Sequence, residues 1–221
     1  MLAQEVRQSG LAPFSGLHFL SSPQPRCRFR RTLCVVTASF EIIQPGLAGP
    51  KVRSTVSLVR DGDHTIVIDP GMAPSQSVIL DPLAGLGVEP RSVTDVIISH
   101  HHPDHTINVG LFGEARVHDF WATYHFDTWT SRSAEGFEVS PSVVLWLTPG
   151  HTPEDITTIV RTEDDVVAFT HLWWHAEGPA VDPRGSDQDQ IHAGRARVLE
   201  MATLIAPGHG EPFRPNSETP R

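Results

Sequence analysis

The sequence predicts a four-layer αββα sandwich: two β-sheets face to face, with helices on their outer faces. Three observations carry that expectation. Apolar, β-branched runs arrive first in close succession and later alternate with helical segments. Several of these runs stop at Pro-Gly or at histidine, so polar chemistry collects at strand ends. The composition, 39% apolar and 19% charged over 221 residues, is that of a soluble globular chain. No run of 18 apolar residues occurs, which excludes a membrane-spanning helix.

The elements follow in order. Leu33–Ile43 (LCVVTASFEII) reads as a strand, and Val52–Arg60 alternates as a second. Asp61-Gly62 supplies a tight turn into His64–Asp69, which Pro70-Gly71 ends. Ser75–Leu86 reads as a helix interrupted near Pro82 and closed by Gly87. Val93–Ser99 is a buried strand that runs straight into a histidine cluster, and Ala115–His118 is a short strand. Val143–Leu147 precedes Thr148-Pro149-Gly150-His151. Ile156–Arg161 and Val166–His171 pair over a turn at Glu163–Asp165. Asp187–Met201 is the strongest helix, with Ser186 as its cap and Ile191, Val198 and Met201 toward the core. Arg195 and Arg197 on that helix read as a solvated face. Thr203–Ala206 is the last strand, before Pro207-Gly208-His209-Gly210.

Residues 1–32 differ from the rest. They hold five arginines and one acid, Glu5, with four serines and no apolar period. They read as a disordered extension or a targeting-like segment, and the folded domain is expected to span 33–221. The remainder is acidic and the whole chain carries −9, which argues against a broad DNA-binding face. A cytoplasmic location is expected, or a mitochondrial one if 1–32 is a transit peptide.

Cys27 and Cys34 form no C-x-x-C pair, so any bound metal must rest on histidine and carboxylate, and thirteen histidines are present. Ser99-His100-His101-His102-Pro103-Asp104-His105 packs four histidines and a carboxylate into six positions. His100 and His102, two apart on an extended segment, point the same way. Asp104 and His105 follow Pro103, where a helix can start, and swing toward a neighbouring point. Two adjacent metal sites follow naturally, with imidazole nitrogen and carboxylate oxygen as ligands at about 2.0–2.2 Å. His151 and His209 each follow a strand across a Pro-Gly turn, a way for a rigid scaffold to present a ligand.

With these residues in view, the chain resembles the metallo-β-lactamase-fold hydrolase superfamily. The matching segments are Val67-Ile68-Asp69-Pro70-Gly71, the H-x-H-x-D-H of His100 to His105, Thr148-Pro149-Gly150-His151-Thr152 and Ala206-Pro207-Gly208-His209-Gly210, in the family's order. Short segments such as Val117-His118-Asp119-Phe120 are most similar to the subgroup that includes metallo-β-lactamase domain-containing protein 1. The resemblance implies one metal on His100, His102 and His151, a second on Asp104, His105 and His209, and Asp69 bracing the site through hydrogen bonds. The family's bridging aspartate is missing: His171 falls at that position, and the resemblance makes it a ligand. An imidazole offers one lone pair where a carboxylate offers two oxygens, so weaker affinity for the second metal is expected. His175 stands behind it as a substitute.

The implied activity is metal-dependent hydrolysis by a metal-bound hydroxide, with Asp104 also orienting the nucleophile. One or two zinc ions are expected, with iron or manganese as alternatives. The substrate expected is a small or single-stranded nucleic-acid phosphodiester, or a small ester or lactone. A glyoxalase II-like thioesterase, or a metal-binding protein with little turnover, is the alternative. No membrane partner is expected, and a homodimer is left open. Trp121, Trp129, Trp173 and Trp174 lie near the motifs and either line a cleft or pack the core.

Overall fold

Alternate residues of a strand face opposite sides of its sheet, and in this chain both sides of most strands are apolar. In Ile66-Val67-Ile68, the two isoleucines enter one buried cluster and Val67 another. Val167 and Phe169 likewise point one way and Ala168 the other. Such strands must be covered on both faces, which forces a layered fold.

The structure, a computed structural model, describes residues 37–221. The expected boundary at 33, the reading of 1–32 and both cysteines lie outside the described residues. The elements are β1 (Ser39–Gln44), β2 (Val56–Asp61), β3 (His64–Ile68), α1 (Ser77–Gly85), β4 (Asp95–Ile97), α2 (Pro103–Thr106), β5 (Arg116–His118), β6 (Ala122–His125), β7 (Thr128–Ser131), β8 (Glu138–Ser140), β9 (Val143–Leu147), β10 (Ile156–Arg161), β11 (Val166–Thr170), α3 (Gln188–Leu199) and β12 (Leu204–Pro207). One sheet runs β1-β2-β3-β4-β5-β6-β7 and the other β12-β11-β10-β9-β8. The pairs β3–β4, β4–β5 and β11–β12 are parallel; the others are antiparallel.

The central core lies between the sheets, with Val59, Ile66, Ile68 and Ile97 from the first meeting Leu145, Ile156, Val160, Val167 and Phe169 from the second. Ile79 and Leu83 of α1 cover the outer face of the first sheet through Leu58, Val67 and Val96. Ile191 and Val198 of α3 cover the second through Ile159, Ala168 and Ile205. The result is the four-layer αββα sandwich. Among the described residues, no helix is long and apolar enough to cross a membrane.

Four expectations need correction. The strand read from Val52 begins at Val56, because Arg53 is held in a loop by two backbone hydrogen bonds with Leu47. The cap of α3 is Asp187, whose side chain accepts the Gln190 N–H, while Ser186 Oγ instead donates to the Gly150 carbonyl. Met201 lies beyond the helix and is 38% exposed. Arg195 is fully buried: its guanidinium donates to the carbonyls of Leu172, Pro179 and Ala180. Its charge therefore satisfies backbone where the chain enters α3 and does not form a solvated face. Strands β6, β7 and β8 were not expected. They are three or four residues long, and β7 (Thr-Trp-Thr-Ser) is exposed throughout, so neither length nor apolar alternation marks them.

Candidate metal centre

Parallel pairing sets strand ends side by side. The ends of β3 and β4 place Asp69 beside Ser99 and the loop that follows it. The ends of β11 and β12 place His171 beside His209. The loop after β9 carries His151, and Ile156 N–H donates to the Ser99 carbonyl at 2.9 Å, tying the two sheets together at this edge. The Asp104 carbonyl accepts the Ser54 and Met72 N–H groups at 3.2 and 3.0 Å, which fixes α2 in place. Two close approaches demand glycine. A Cβ on Gly71 would lie 1.6 Å from the Asp104 carbonyl oxygen, and one on Gly208 would lie 2.5 Å from Cδ2 of His171.

Ring nitrogens converge at this edge. The ligand atoms of His100, His151 and His171 lie within 4.8 Å of one another, as do those of His105, His171 and His209. His171 thus belongs to both groups. His102 joins the first, with Nδ1 3.0 Å from His100 Nε2 and 3.1 Å from His151 Nε2. Asp104 joins the second, with Oδ2 3.6 Å from His105 Nε2 and 3.7 Å from His209 Nε2.

Four imidazoles have their outer nitrogen committed. His105 Nδ1 donates to Asp69 at 2.9 Å, His151 Nδ1 to Asp182 at 2.8 Å, and His209 Nδ1 to the Arg53 carbonyl at 2.9 Å. Ser99 Oγ gives its proton to Asp69 at 2.7 Å and so accepts from His100 Nδ1 at 3.1 Å, with Asp155 3.5 Å from the same nitrogen. A second Asp69 oxygen takes the Ser99 N–H at 2.7 Å. With each Nδ1 protonated, each Nε2 carries a lone pair that points inward. His171 differs: its Nδ1 is buried with no partner, and Nε2 faces His209 Nε2 at 3.0 Å.

This donor set fits a metal. His102 Nδ1 faces two lone pairs, and a single proton there cannot serve both. His105 Nε2 is buried with no hydrogen-bond partner at all. Orphaned lone pairs in a buried site are costly unless a cation takes them. Nitrogens bound at about 2.0–2.1 Å to one tetrahedral ion stand about 3.3 Å apart, close to the spacing seen here. Behind the rings stand three carboxylates, Asp69, Asp155 and Asp182, the outer partners that orient metal-binding imidazoles.

Burial sets the protonation. Burial, reinforced by neighbouring histidines, holds His100 and His171 well below the usual imidazole range. Burial and His105 push His209 down to about 4, against the Arg53 carbonyl and Asp104. Burial and His151 lower His102. Burial works to lower His105, but Asp69, with Asp104 and Asp155, raises it on balance. Burial pushes Asp155 up to about 7. The lowered histidines are therefore neutral, the form that binds metal.

Other residues fall elsewhere. His175 is a surface residue 3.1 Å from Glu177. Trp173 is fully buried in the outer core, Trp129 is 62% exposed, and Trp121 rests against His101 at 5.0 Å. His101 and His118 pair with Asp119 and Asp95. Trp174 alone of these four tryptophans lines the cavity over the centre, about 290 Å³, with His102, Asp104, His151, His171, Arg184 and His209 among its walls. Asp155 and Asp182 stand behind rings of the centre and Arg184 lines the cavity; the sequence reading gave none of the three a role. Only Asp155 had a local signal, the Thr152-Pro-Glu-Asp155 spacing in which Thr152 N–H and Oγ1 bond the carboxylate at 2.6 and 3.1 Å.

The profile of the Metallo-beta-lactamase superfamily matches residues 49–210. The chain is 32% identical to metallo-beta-lactamase domain-containing protein 1 of Xenopus laevis over 174 residues, 72% of each chain. To the Homo sapiens protein of that name it is 33% identical over 163 residues, 67% of this chain and 59% of the other. Among solved structures, an N-acyl homoserine lactone hydrolase with product at its catalytic metal centre is similar at TM-score 0.60 and 20% identity, covering 79% of this chain and 93% of that one. A metallo-beta-lactamase family protein from Thermus thermophilus is similar at TM-score 0.56 and 16% identity, covering 79% and 74%. The chain belongs to the metallo-β-lactamase superfamily, with the sandwich and the histidine-lined strand edge described above.

Proposed function

We propose that this protein is a metal-dependent hydrolase. His100, His102 and His151 would hold one ion, Asp104, His105 and His209 a second, and His171, which belongs to both histidine groups, would serve as a further ligand. The observation that carries the reading is the inward convergence of Nε2 lone pairs on imidazoles whose Nδ1 protons are each anchored outside. Nitrogen with a single carboxylate suits zinc, and also iron or manganese. A bound ion of this kind brings the pKa of water toward about 7 and polarises a carbonyl or phosphoryl oxygen.

The chain's own residues supply the rest. Asp104 lines the cavity, where its carboxylate orients the attacking water and accepts its proton. The Trp174 ring walls the cavity, and its Nε1 donates to Asp182 at 3.1 Å, so the wall and the His151 anchor share one carboxylate. Substrate is a small or single-stranded phosphodiester, or a small ester or lactone; a cavity of about 290 Å³ suits a small scissile group. The lactone reading gains from the likeness in fold to the homoserine lactone hydrolase.

The test is a parallel rate comparison of metal-loaded protein on a generic phosphodiester, a single-stranded RNA, a lactone, a thioester and a β-lactam, for wild type and Asp104→Ala. Turnover of phosphodiester or lactone, abolished by chelation and strongly reduced in Asp104→Ala, supports the reading. Turnover confined to the thioester would favour a glyoxalase II-like activity. No turnover with metal bound would leave a metal-binding protein.

A further inference from the structure

Asp182 joins two loops. Its Oδ2 accepts the His151 Nδ1 proton, and its Oδ1 accepts the Arg184 N–H at 2.9 Å. The Gln188 side chain bonds both the N–H and the carbonyl of Asp182, at 3.0 and 2.8 Å. Ser186 N–H and Oγ close the loop onto the carbonyls of His151 and Gly150, at 3.1 and 2.9 Å. The backbone that carries Arg184 is thus held by the same carboxylate that orients a histidine of the centre.

Most arginine side chains among the described residues are spent: Arg116, Arg197 and Arg214 pair with carboxylates, and Arg195 serves backbone carbonyls. Arg161 and Arg221 share the lack of a side-chain partner with Arg184, but neither lines the cavity. Among the described residues, Arg184 has no side-chain hydrogen bond or ion pair, and no other arginine or lysine lines the cavity over the centre. Arg184 is exposed, and its guanidinium keeps its donors free on a backbone-tethered loop at the rim of the cavity, where its fork suits an oxyanion.

We infer that Arg184 is a specificity-determining residue that binds an anionic group of the substrate, a carboxylate or a phosphate, next to the scissile bond. This rests on the hydrolase reading above and extends it to the charge of the substrate. The domain as a whole is acidic, so this local cation, rather than a long-range field, selects the anion.

The experiment uses the full chain loaded with zinc and compares wild type, Arg184→Ala and Arg184→Lys. Arg161→Ala is the control, since Arg161 ends β10 and is exposed. Rates are measured on a matched pair, neutral 4-nitrophenyl acetate and anionic mono-4-nitrophenyl glutarate. Binding of glutarate and of inorganic phosphate is measured by calorimetry on the same four proteins. Arg184→Ala is expected to lower the preference for the anionic ester about tenfold, mainly through KM, with partial recovery in Arg184→Lys and none of this in Arg161→Ala. Whichever of glutarate and phosphate loses about tenfold in affinity identifies the group recognised. An unchanged preference together with unchanged binding of both anions overturns the inference. If wild type turns over neither ester, the hydrolase reading is put in doubt, and the calorimetric comparison alone decides the role of Arg184.

Discussion

Asp182 Oδ2 accepts the Nδ1 proton of His151 at 2.8 Å, across 31 residues of chain. Both groups are buried, so the bond is little weakened by water, and it fixes which His151 nitrogen faces inward. Removing this acceptor should let the ring rotate or change tautomer. Asp182→Ala should therefore weaken metal binding by about 10- to 100-fold in competition with a chromophoric chelator. Equal affinities in the two proteins would show that His151 needs no such anchor.

His171 sits between the two histidine groups with no acceptor behind its Nδ1. His171→Asp should raise affinity for the more weakly held ion, since a carboxylate can bridge and brings a negative charge to a site otherwise rich in neutral donors. Stepwise metal titration followed by calorimetry reads this directly. Superimposable isotherms for the two proteins would count against a ligand role.

His102 is the most exposed of the converging histidines, and its Nδ1 faces two other ring nitrogens. His102→Ala should leave the domain folded but lower metal content after a mild chelating wash, measured by elemental analysis. Freshly purified wild type without any transition metal would refute the metal assignment altogether.

The metal-free protein should lose stability on acidification. His209 is held at about 4 by burial, and His100, His102 and His171 are also lowered, whereas an unfolded histidine titrates near ~6.5. Between those values the unfolded chain binds protons that the native state refuses, so stability falls as pH drops from about 6.5 toward about 4. Asp155, raised to about 7, and His105, raised by Asp69, work in the opposite sense. Counting His118, also lowered by burial, and His101, also raised by Asp119, five lowered imidazoles stand against three raised groups and set the net direction. The thermal midpoint should fall from pH 7 to pH 5, and less steeply in His209→Gln. A midpoint that rises over this interval would contradict the burial argument.

Arg195 carries a second kind of prediction, about the scaffold. Its guanidinium satisfies three carbonyls and lies 5.5 Å from the Trp173 ring. Arg195→Ala should cost about 3 kcal/mol in urea unfolding, because buried carbonyls lose their donors and a cavity opens beside Trp173. A change under about 0.5 kcal/mol would mean that water replaces the guanidinium without penalty.

Local order along the chain carried much of the architecture. The alternation in Ile66–Ile68 and Val166–Thr170 demanded strands covered on both faces, and the i, i+7 placement of Ile191 and Val198 marked a covering helix. The H-x-H-x-D-H spacing and the two Pro-Gly-His turns named the converging residues, because a strand end and a tight turn fix direction within a few positions. Contacts between distant segments were decided only by tertiary structure. Asp182 behind His151 and Asp155 behind His100 are loop carboxylates of a kind found on any surface until the sheets bring strand ends together. Arg195 looked solvated because its helix is polar by composition; only the path of Leu172–Ala180 places three unpaired carbonyls above it. His171 was legible as a departure from the family's pattern, but its place in both histidine groups depends on the parallel register of β11 and β12. Periodicity and turn chemistry are properties of neighbours in sequence. Hydrogen bonds, burial and charge at the centre are properties of neighbours in space, and the packing of two sheets is what makes them so.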